Sequence, residues 1–418
     1  MGAETRTGGR EATSAVIGGG LAIAVGEPKG RTPKGFRWTL LSEVARLETG
    51  HTPSRRHPEY WDGDIPWIGI RDATSNHGRT INATIQTVTQ LGIDNSSARI
   101  LPAGTVCLSR TASVGYVVIM GRPMATSQDF VNWVCGPELD PVYLKYVFQA
   151  DRDALLRFAN GSTHQTIYFP EVKAFHALLP SLEEQRAIVR VLGALDEKVE
   201  SNQRAAKTAL ELASAKFELA CAVDGIECKV GDLATFHNRM RVPLSSAQRA
   251  QRPGPVPYYG ATGVFGHVDD YIFDDVLTLV GEDGSVVNPD GTPVLQYIWG
   301  RSWVNNHAHV LTGSGVTTEL LHLALRRLDV RPAVTGAVQA KLSMGNLSAM
   351  TVTIPGSATL PQLEADIAPL FEMYRMRANE TATLLLLRDR LIPELLSGKL
   401  RAGDLAAGMH VYSGPEER

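Results

Sequence analysis

The chain repeats one plan at a spacing of ~175 residues, and a repeat of that length means two domains built on one architecture. Ile65-Pro66-Trp67-Ile68-Gly69 in the first half has its counterpart in Val256-Pro257-Tyr258-Tyr259-Gly260. Leu108-Ser109-Arg110-Thr111-Ala112-Ser113-Val114 aligns with Val280-Gly281-Glu282-Asp283-Gly284-Ser285-Val286, and Ser127-Gln128-Asp129-Phe130 aligns with Asn305-Asn306-His307-Ala308. A loop running from Gly to Gln follows each set: Gly161-Ser162-Thr163-His164-Gln165, then Gly336-Ala337-Val338-Gln339. Identity between the halves is low, so it is the shared order of motifs that carries the repeat.

Between Trp38 and Pro180, short β-branched runs alternate with turn residues such as Asp62-Gly63, Asn76-His77-Gly78 and Pro102-Ala103-Gly104. That alternation predicts many short strands, interrupted by a helix over Pro141 to Asn160. Lys229 to Pro355 repeats the pattern, with its own helix around Thr318 to Leu328. Each half is therefore expected to be α+β and dominated by sheet. At 418 residues and 44% hydrophobic, the chain can bury two cores of ordinary domain size.

A long helix follows each half. From Leu182 the residues Ile188, Leu192, Leu195, Val199, Asn202, Ala206, Ala209 and Ala213 recur at alternating spacings of four and three. This is a coiled-coil seam, with Asn202 as a polar register pin and alanines that permit close helix approach. From Leu360 a second helix offers Ile367, Leu370, Tyr374, Thr381, Leu384, Arg388, Leu391 and Leu395. Pro369 and Pro393 should bend it or fray its ends, and Gly398 is a natural stop. For the two helices to pair they should run antiparallel.

Composition excludes several classes of function. The net charge is −3, and acidic and basic residues balance in each half. A lone DNA-binding domain usually carries a basic excess, because neutralising phosphates supplies much of its affinity; here the basic surface must be local or come from a partner. The four cysteines (Cys107, Cys135, Cys221, Cys228) have no zinc-ligand spacing and read as thiols of a reducing cytoplasm. No run approaches the ~18 apolar residues of a membrane helix. Ala15 to Val25 is apolar but short and glycine-interrupted, so residues 1–36 read as disordered or as an extension, or as the product of a start codon placed too early, rather than as a signal peptide. Asn288-Pro289-Asp290 lacks the second proline and aromatic of a methyltransferase motif, and Gly398-Lys399 lacks the Ser or Thr of a phosphate loop.

With tandem β-rich domains, each followed by a long helix, the chain resembles the specificity subunits of type I restriction–modification enzymes. The residues that carry the resemblance are Asp64-Ile65-Pro66-Trp67-Ile68, Pro180-Ser181-Leu182-Glu183-Glu184-Gln185, Tyr259-Gly260-Ala261-Thr262-Gly263 and Leu395-Leu396-Ser397-Gly398-Lys399-Leu400-Arg401. It spans Trp38 to Arg401. Two departures fall in the second half: its helix opens with Leu360-Pro361-Gln362-Leu363-Glu364, and its Gly loop lacks the Ser-Thr pair.

The resemblance implies target-recognition domains at 37–180 and 222–358, spacer helices at 181–221 and 359–401, and a tail at 402–418. It implies a non-catalytic, cytoplasmic subunit of a restriction system that binds double-stranded DNA at a bipartite target. Two modification (methyltransferase) subunits and the restriction (translocase and nuclease) subunits would dock on it. S-adenosylmethionine, ATP and Mg2+ would belong to those partners, with no cofactor or metal on this chain. Two other readings of the residues stay open: a protein-interaction scaffold with two β-rich modules on a coiled-coil strut, and the recognition half of a fused DNA methyltransferase.

Reading base pairs takes donors and acceptors aimed into the major groove, and phosphate contacts fix the register. In the first domain the candidates are Arg71, Arg110, Thr111, Ser113, Gln128, His164 and Gln165. Their counterparts in the second are Tyr259, Thr262, Ser285, Asn305, Asn306, His307, Gln339 and Lys341. Arg55, Arg56, Arg239 and Arg241 fit phosphate anchors. Trp67 and Tyr258 read as core aromatics, and Glu282-Asp283 as a solvated turn. Arg110 could equally pair with a nearby carboxylate. The run Asn305 to His309 lacks carboxylate or thiol partners at ligand spacing, so turn and strand polarity explains it better than a metal site.

Overall fold

The computed structural model describes residues 11–159, 165–336 and 339–405, which fall into two units. The first comprises Met1–Glu197 and Leu384–Arg418, the second Lys198–Thr383. Two long helices, the central one (Leu182–Asp224) and the closing one (Leu360–Leu396), each contribute to both.

The first unit opens with β1 (Ile23–Val25), β2 (Arg37–Leu40), β3 (Ala45–Thr49) and β4 (Trp61–Ile68). Then come β5 (Thr80–Ile81), β6 (Gln86–Val88), β7 (Val106–Ser109) and β8 (Val117–Met120). It finishes with β9 (Ala125–Thr126), β10 (Phe130–Cys135) and β11 (Phe175–Leu179). Its sheets run β3-β10-β7-β8-β5, β6-β4-β9 and β1-β11-β2. β7 and β8 are wholly buried, which explains their continuous apolar sequence in place of alternation.

In the second unit the strands are β12 (Gly225–Lys229), β13 (Ala234–Phe236), β14 (Val256–Tyr259), β15 (Val264–Val268) and β16 (Phe273–Asp274). β17 (Leu277–Gly281), β18 (Leu295–Ile298), β19 (Arg301–Val304), β20 (Ala308–Gly313) and β21 (Thr351–Pro355) complete it. Its sheets run β13-β20-β17-β18, β15-β14-β19-β16 and β12-β21. The sequence repeat is a repeat of register. Ser109 pairs with Phe130 as Gly281 pairs with Ala308, and Trp67 meets Ala125 in parallel as Tyr258 meets Trp303.

In the first unit, Ile188 and Leu192 of the central helix share a core with Ile392, Leu395 and Leu396 of the closing helix. In the second, Ala213 and Phe217 share one with Leu363, Ile367 and Phe371. The start of each helix meets the end of the other, so they are antiparallel. Of the expected seam, Ile188, Leu192, Val199, Asn202, Ile367 and Leu395 are buried. Leu195, Leu370, Tyr374, Leu384 and Leu391 are half-buried. Lys216 Nζ to Asp366 at 2.8 Å and Lys198 Nζ to Glu380 at 3.2 Å tie the helices within the second unit.

Three expectations need correction. Pro369 does not interrupt the closing helix; Ile367 and Phe371 on either side of it are anchored in the core, and that packing outweighs one lost backbone bond. The helix does stop at Gly398, whose φ is +69°. The stretch 11–36 is not a disordered extension, because Ala22 to Val25 are fully buried and β1 pairs with β11. The helix expected over Pro141 to Asn160 is two helices, Pro141–Ala150 and Arg152–Phe158. Asp151 breaks it: only 2% exposed, it turns its carboxylate to accept from the N–H groups of Leu21, Ala22 and Ile23. One buried acid thus ends a helix and starts β1.

Among the described residues, no helix is long and apolar enough to cross a membrane, and no group of three or more His, Cys, Asp or Glu could hold a metal ion.

Candidate nucleic-acid interface

A small backbone cage recurs in both units. In the first, the Arg110 N–H donates to Asp129 O at 2.7 Å, Ala112 N–H to Gln165 O at 3.1 Å, and Ile167 N–H to Arg110 O at 2.9 Å. In the second, Glu282 N–H donates to His307 O at 2.8 Å, Gly284 N–H to Ala340 O at 3.0 Å, and Leu342 N–H to Glu282 O at 2.9 Å. Each cage joins the loop after a central strand (β7 or β17) to the turn before its partner (β10 or β20) and to a third segment beyond. Ser127 N–H to Ile68 O and Asn305 N–H to Tyr259 O, both 3.0 Å, fasten the two cages alike. Even the left-handed position is shared: Ala112 has φ +62° and Gly284 φ +79°.

The side chains on this common frame differ. In the first unit Arg110 lays its guanidinium over the Phe169 ring, 4.7 Å from the centroid, and reaches Ile167 O at 3.5 Å. Burial pulls its pKa down while Asp129 pulls it up. Among the described residues Arg110 makes no ion pair. Thr111 bridges to Thr166, Ser113 lies in the same turn, and exposed Gln165 contributes its carbonyl. Arg55, Trp67, Arg71, Gln86, Ser127 and Asp129 help line an adjoining cavity of about 330 Å³. Arg55 stacks on Trp61 at 3.5 Å and donates to Gln86 at 2.8 Å. Gln128 is exposed and accepts from the Thr52 hydroxyl. Arg56 is exposed, while His164 lies outside the described residues.

In the second unit Glu282 takes the place of Arg110, and it is not in a solvated turn. It pairs with Arg241 at 2.7 Å, His309 at 3.5 Å and Lys341 at 3.9 Å, with 16% of its side chain exposed. Arg241, expected as a phosphate anchor, is instead structural. Beyond Glu282 it donates to Ala308 O at 2.7 Å, Asn306 O at 3.3 Å and Asn238 O at 2.9 Å. Asn305 is likewise 6% exposed, and its side chain caps the His307 N–H at 2.8 Å, which removes it from the open face. His307 holds Asp283 through Nδ1, and Asn306, Ser285, Thr262, Gln339 and Lys341 are exposed. Arg239 is exposed on a short 3-10 turn. Tyr259 is half-buried in a cavity of about 350 Å³ shared with Gln296, Trp299 and Tyr374, and burial raises its pKa.

Trp67 and Tyr258 are core aromatics, 5% and 1% exposed. The sequence reading passed over Asp129, Gln86 and the Trp61 stack under Arg55. Asp129 had a visible signal, since it stands opposite His307 in the repeat.

The match to a family model described as the type I restriction modification DNA specificity domain covers residues 33–212. The specificity subunit of the type I restriction enzyme MjaIX from Methanocaldococcus jannaschii is 26% identical over 414 residues, covering 90% of this chain and 96% of that one. The EcoprrI specificity subunit of Escherichia coli is 21% identical over 341 residues, covering 76% and 83%. Among solved structures, the S subunit of a type I restriction–modification system from M. genitalium shares the fold, with TM-score 0.59 at 16% identity, over 87% of this chain and 99% of that one.

Proposed function

Because the chain belongs to the type I restriction–modification specificity-subunit family, we propose that it reads a bipartite DNA target, one half-site per unit, for partners that do the chemistry. The observation that carries this reading is the duplicated cage. Two frames with the same backbone bonds present Arg110 and Asp129 in one unit, and Glu282 and His307 in the other. A frame kept constant while its displayed groups change is what two readers of different sequences need, since base identity is read through donor and acceptor placement.

The long helices scaffold two modification subunits and, through them, the restriction subunits. S-adenosylmethionine, ATP and Mg2+ sit on those partners; this chain supplies no catalytic group and works in the cytoplasm. The balanced charge fits a subunit that shares its phosphate contacts with partners.

The test is to co-express the chain with its genomic neighbours in a host lacking modification and map methylated bases by single-molecule sequencing. Two short defined sequences around a fixed undefined gap are expected. Transplanting 37–180 from a homologue should change one half only. Methylation with no split motif, or none from a soluble complex with a working methyltransferase, would overturn the reading.

A further inference from the structure

We infer that Arg110 reads a guanine in the half-site of the first unit, with Asp129 beside it accepting from the cytosine paired to that guanine. The inference rests on the DNA-reading function proposed above and adds a residue and a base to it.

Arg110 is held but not neutralised. Phe169 supports the plane of its guanidinium and the Ile167 carbonyl takes one Nη1 hydrogen. Its Nε is buried without a partner. The other terminal nitrogen, Nη2, makes no hydrogen bond within the described residues. A half-buried cation without a carboxylate partner is costly to keep, and it makes sense where an outside acceptor completes it. The equivalent position shows the contrast, because Glu282 has its own cation in Arg241, 2.7 Å away.

A phosphate is the other acceptor to weigh. Asp129 argues against it. Its backbone is bonded to that of Arg110, its Oδ2 accepts from the Ser127 hydroxyl at 3.0 Å, and its charge already acts on Arg110. A carboxylate there repels a phosphate, yet it suits a G·C pair, which offers O6 and N7 acceptors on guanine and an N4 donor on cytosine. Arg55 and Arg56 are exposed and fit the backbone better. The planar fork of Arg110 fits O6 and N7 together, as a lysine cannot.

The wild-type complex with its modification subunits serves as the probe's partner, so no variant need fold. Synthetic duplexes carrying the mapped motif are made with 7-deazaguanine, which lacks the N7 acceptor, at each guanine of both halves in turn. Binding should weaken about tenfold at one guanine of the first half. Arg110→Lys should then lose its preference for that base pair, while the second half stays as strict as in the wild type. A first half with no G·C pair, or no first-half guanine sensitive to the substitution, would overturn the role of Arg110 while leaving the split motif standing. Unchanged selectivity in Arg110→Lys would also overturn it. Loss of the split motif itself would instead count against the proposed function.

Discussion

Lys145 Nζ lies 3.5 Å from Asp196 Oδ2, with 6% of the lysine side chain exposed. Tyr146 donates to the same oxygen at 2.7 Å, and Arg388 reaches the other at 3.1 Å. One carboxylate on the central helix thus receives a short helix of the first unit and the last turns of the closing helix. Asp196→Asn should strand Lys145, whose pKa burial already pulls down. With 30% of the Asp196 side chain exposed, solvent softens the loss to about 2 kcal/mol. Urea unfolding against the wild type measures it; a change under about 0.5 kcal/mol would mean that water replaces the ion pair.

Arg241→Met should cost more, about 3 kcal/mol, because it leaves Glu282 buried with weaker partners. The second unit should unfold earlier, and on the proposed function the half-site assigned to it should blur as its cage loosens. A variant as stable as the wild type would return Arg241 to the role of surface anchor.

A gain is expected at Ala112. Its left-handed backbone costs an alanine about 1 kcal/mol or more, and Gly284 fills the same place in the second unit. Ala112→Gly should raise the stability of the first unit by up to about 1 kcal/mol, after the entropy glycine adds to the unfolded chain. Destabilisation in thermal unfolding would show that the alanine methyl packs usefully.

Acid should weaken the second unit through His322. Burial, helped by Arg326, lowers its pKa from 6.5 to about 3. Between those values the unfolded chain binds a proton that the folded chain refuses. The contribution is therefore fully present above about pH 6.5 and falls away as pH drops towards 3, by about 1.4 kcal/mol per pH unit. Compared with His322→Gln, the wild type should lose about 1 kcal/mol more between pH 7 and pH 5.5. Parallel urea-unfolding curves at the two pH values would refute it.

Much of this was legible because it is local or periodic. Ile188 and Leu192 fall where the four-and-three spacing puts them, and the aligned motifs coincide with equivalent strand pairs and cage bonds. What escaped depends on distant partners. Arg241 looks like any basic loop residue until Glu282 arrives beside it. Leu370 and Phe371 both fit the four-and-three spacing between Ile367 and Tyr374, and it is Phe371, its ring centroid 5.0 Å from that of Tyr297 across the unit, that is buried. β1 hid behind glycines because its order comes from Asp151 and β11, neither visible from its own composition.

The first unit is assembled from both early and late sequence. Arg401 donates to the Lys34 carbonyl, its guanidinium lies 4.9 Å over Phe36, and a side chain at Gly398 would strike Phe36. The second unit is one uninterrupted stretch, Lys198–Thr383. On the ribosome the order of completion is therefore inverted. The domain begun first must wait, partly formed, until the last turns of the closing helix emerge, while the domain begun second can finish as soon as its own residues clear the exit tunnel.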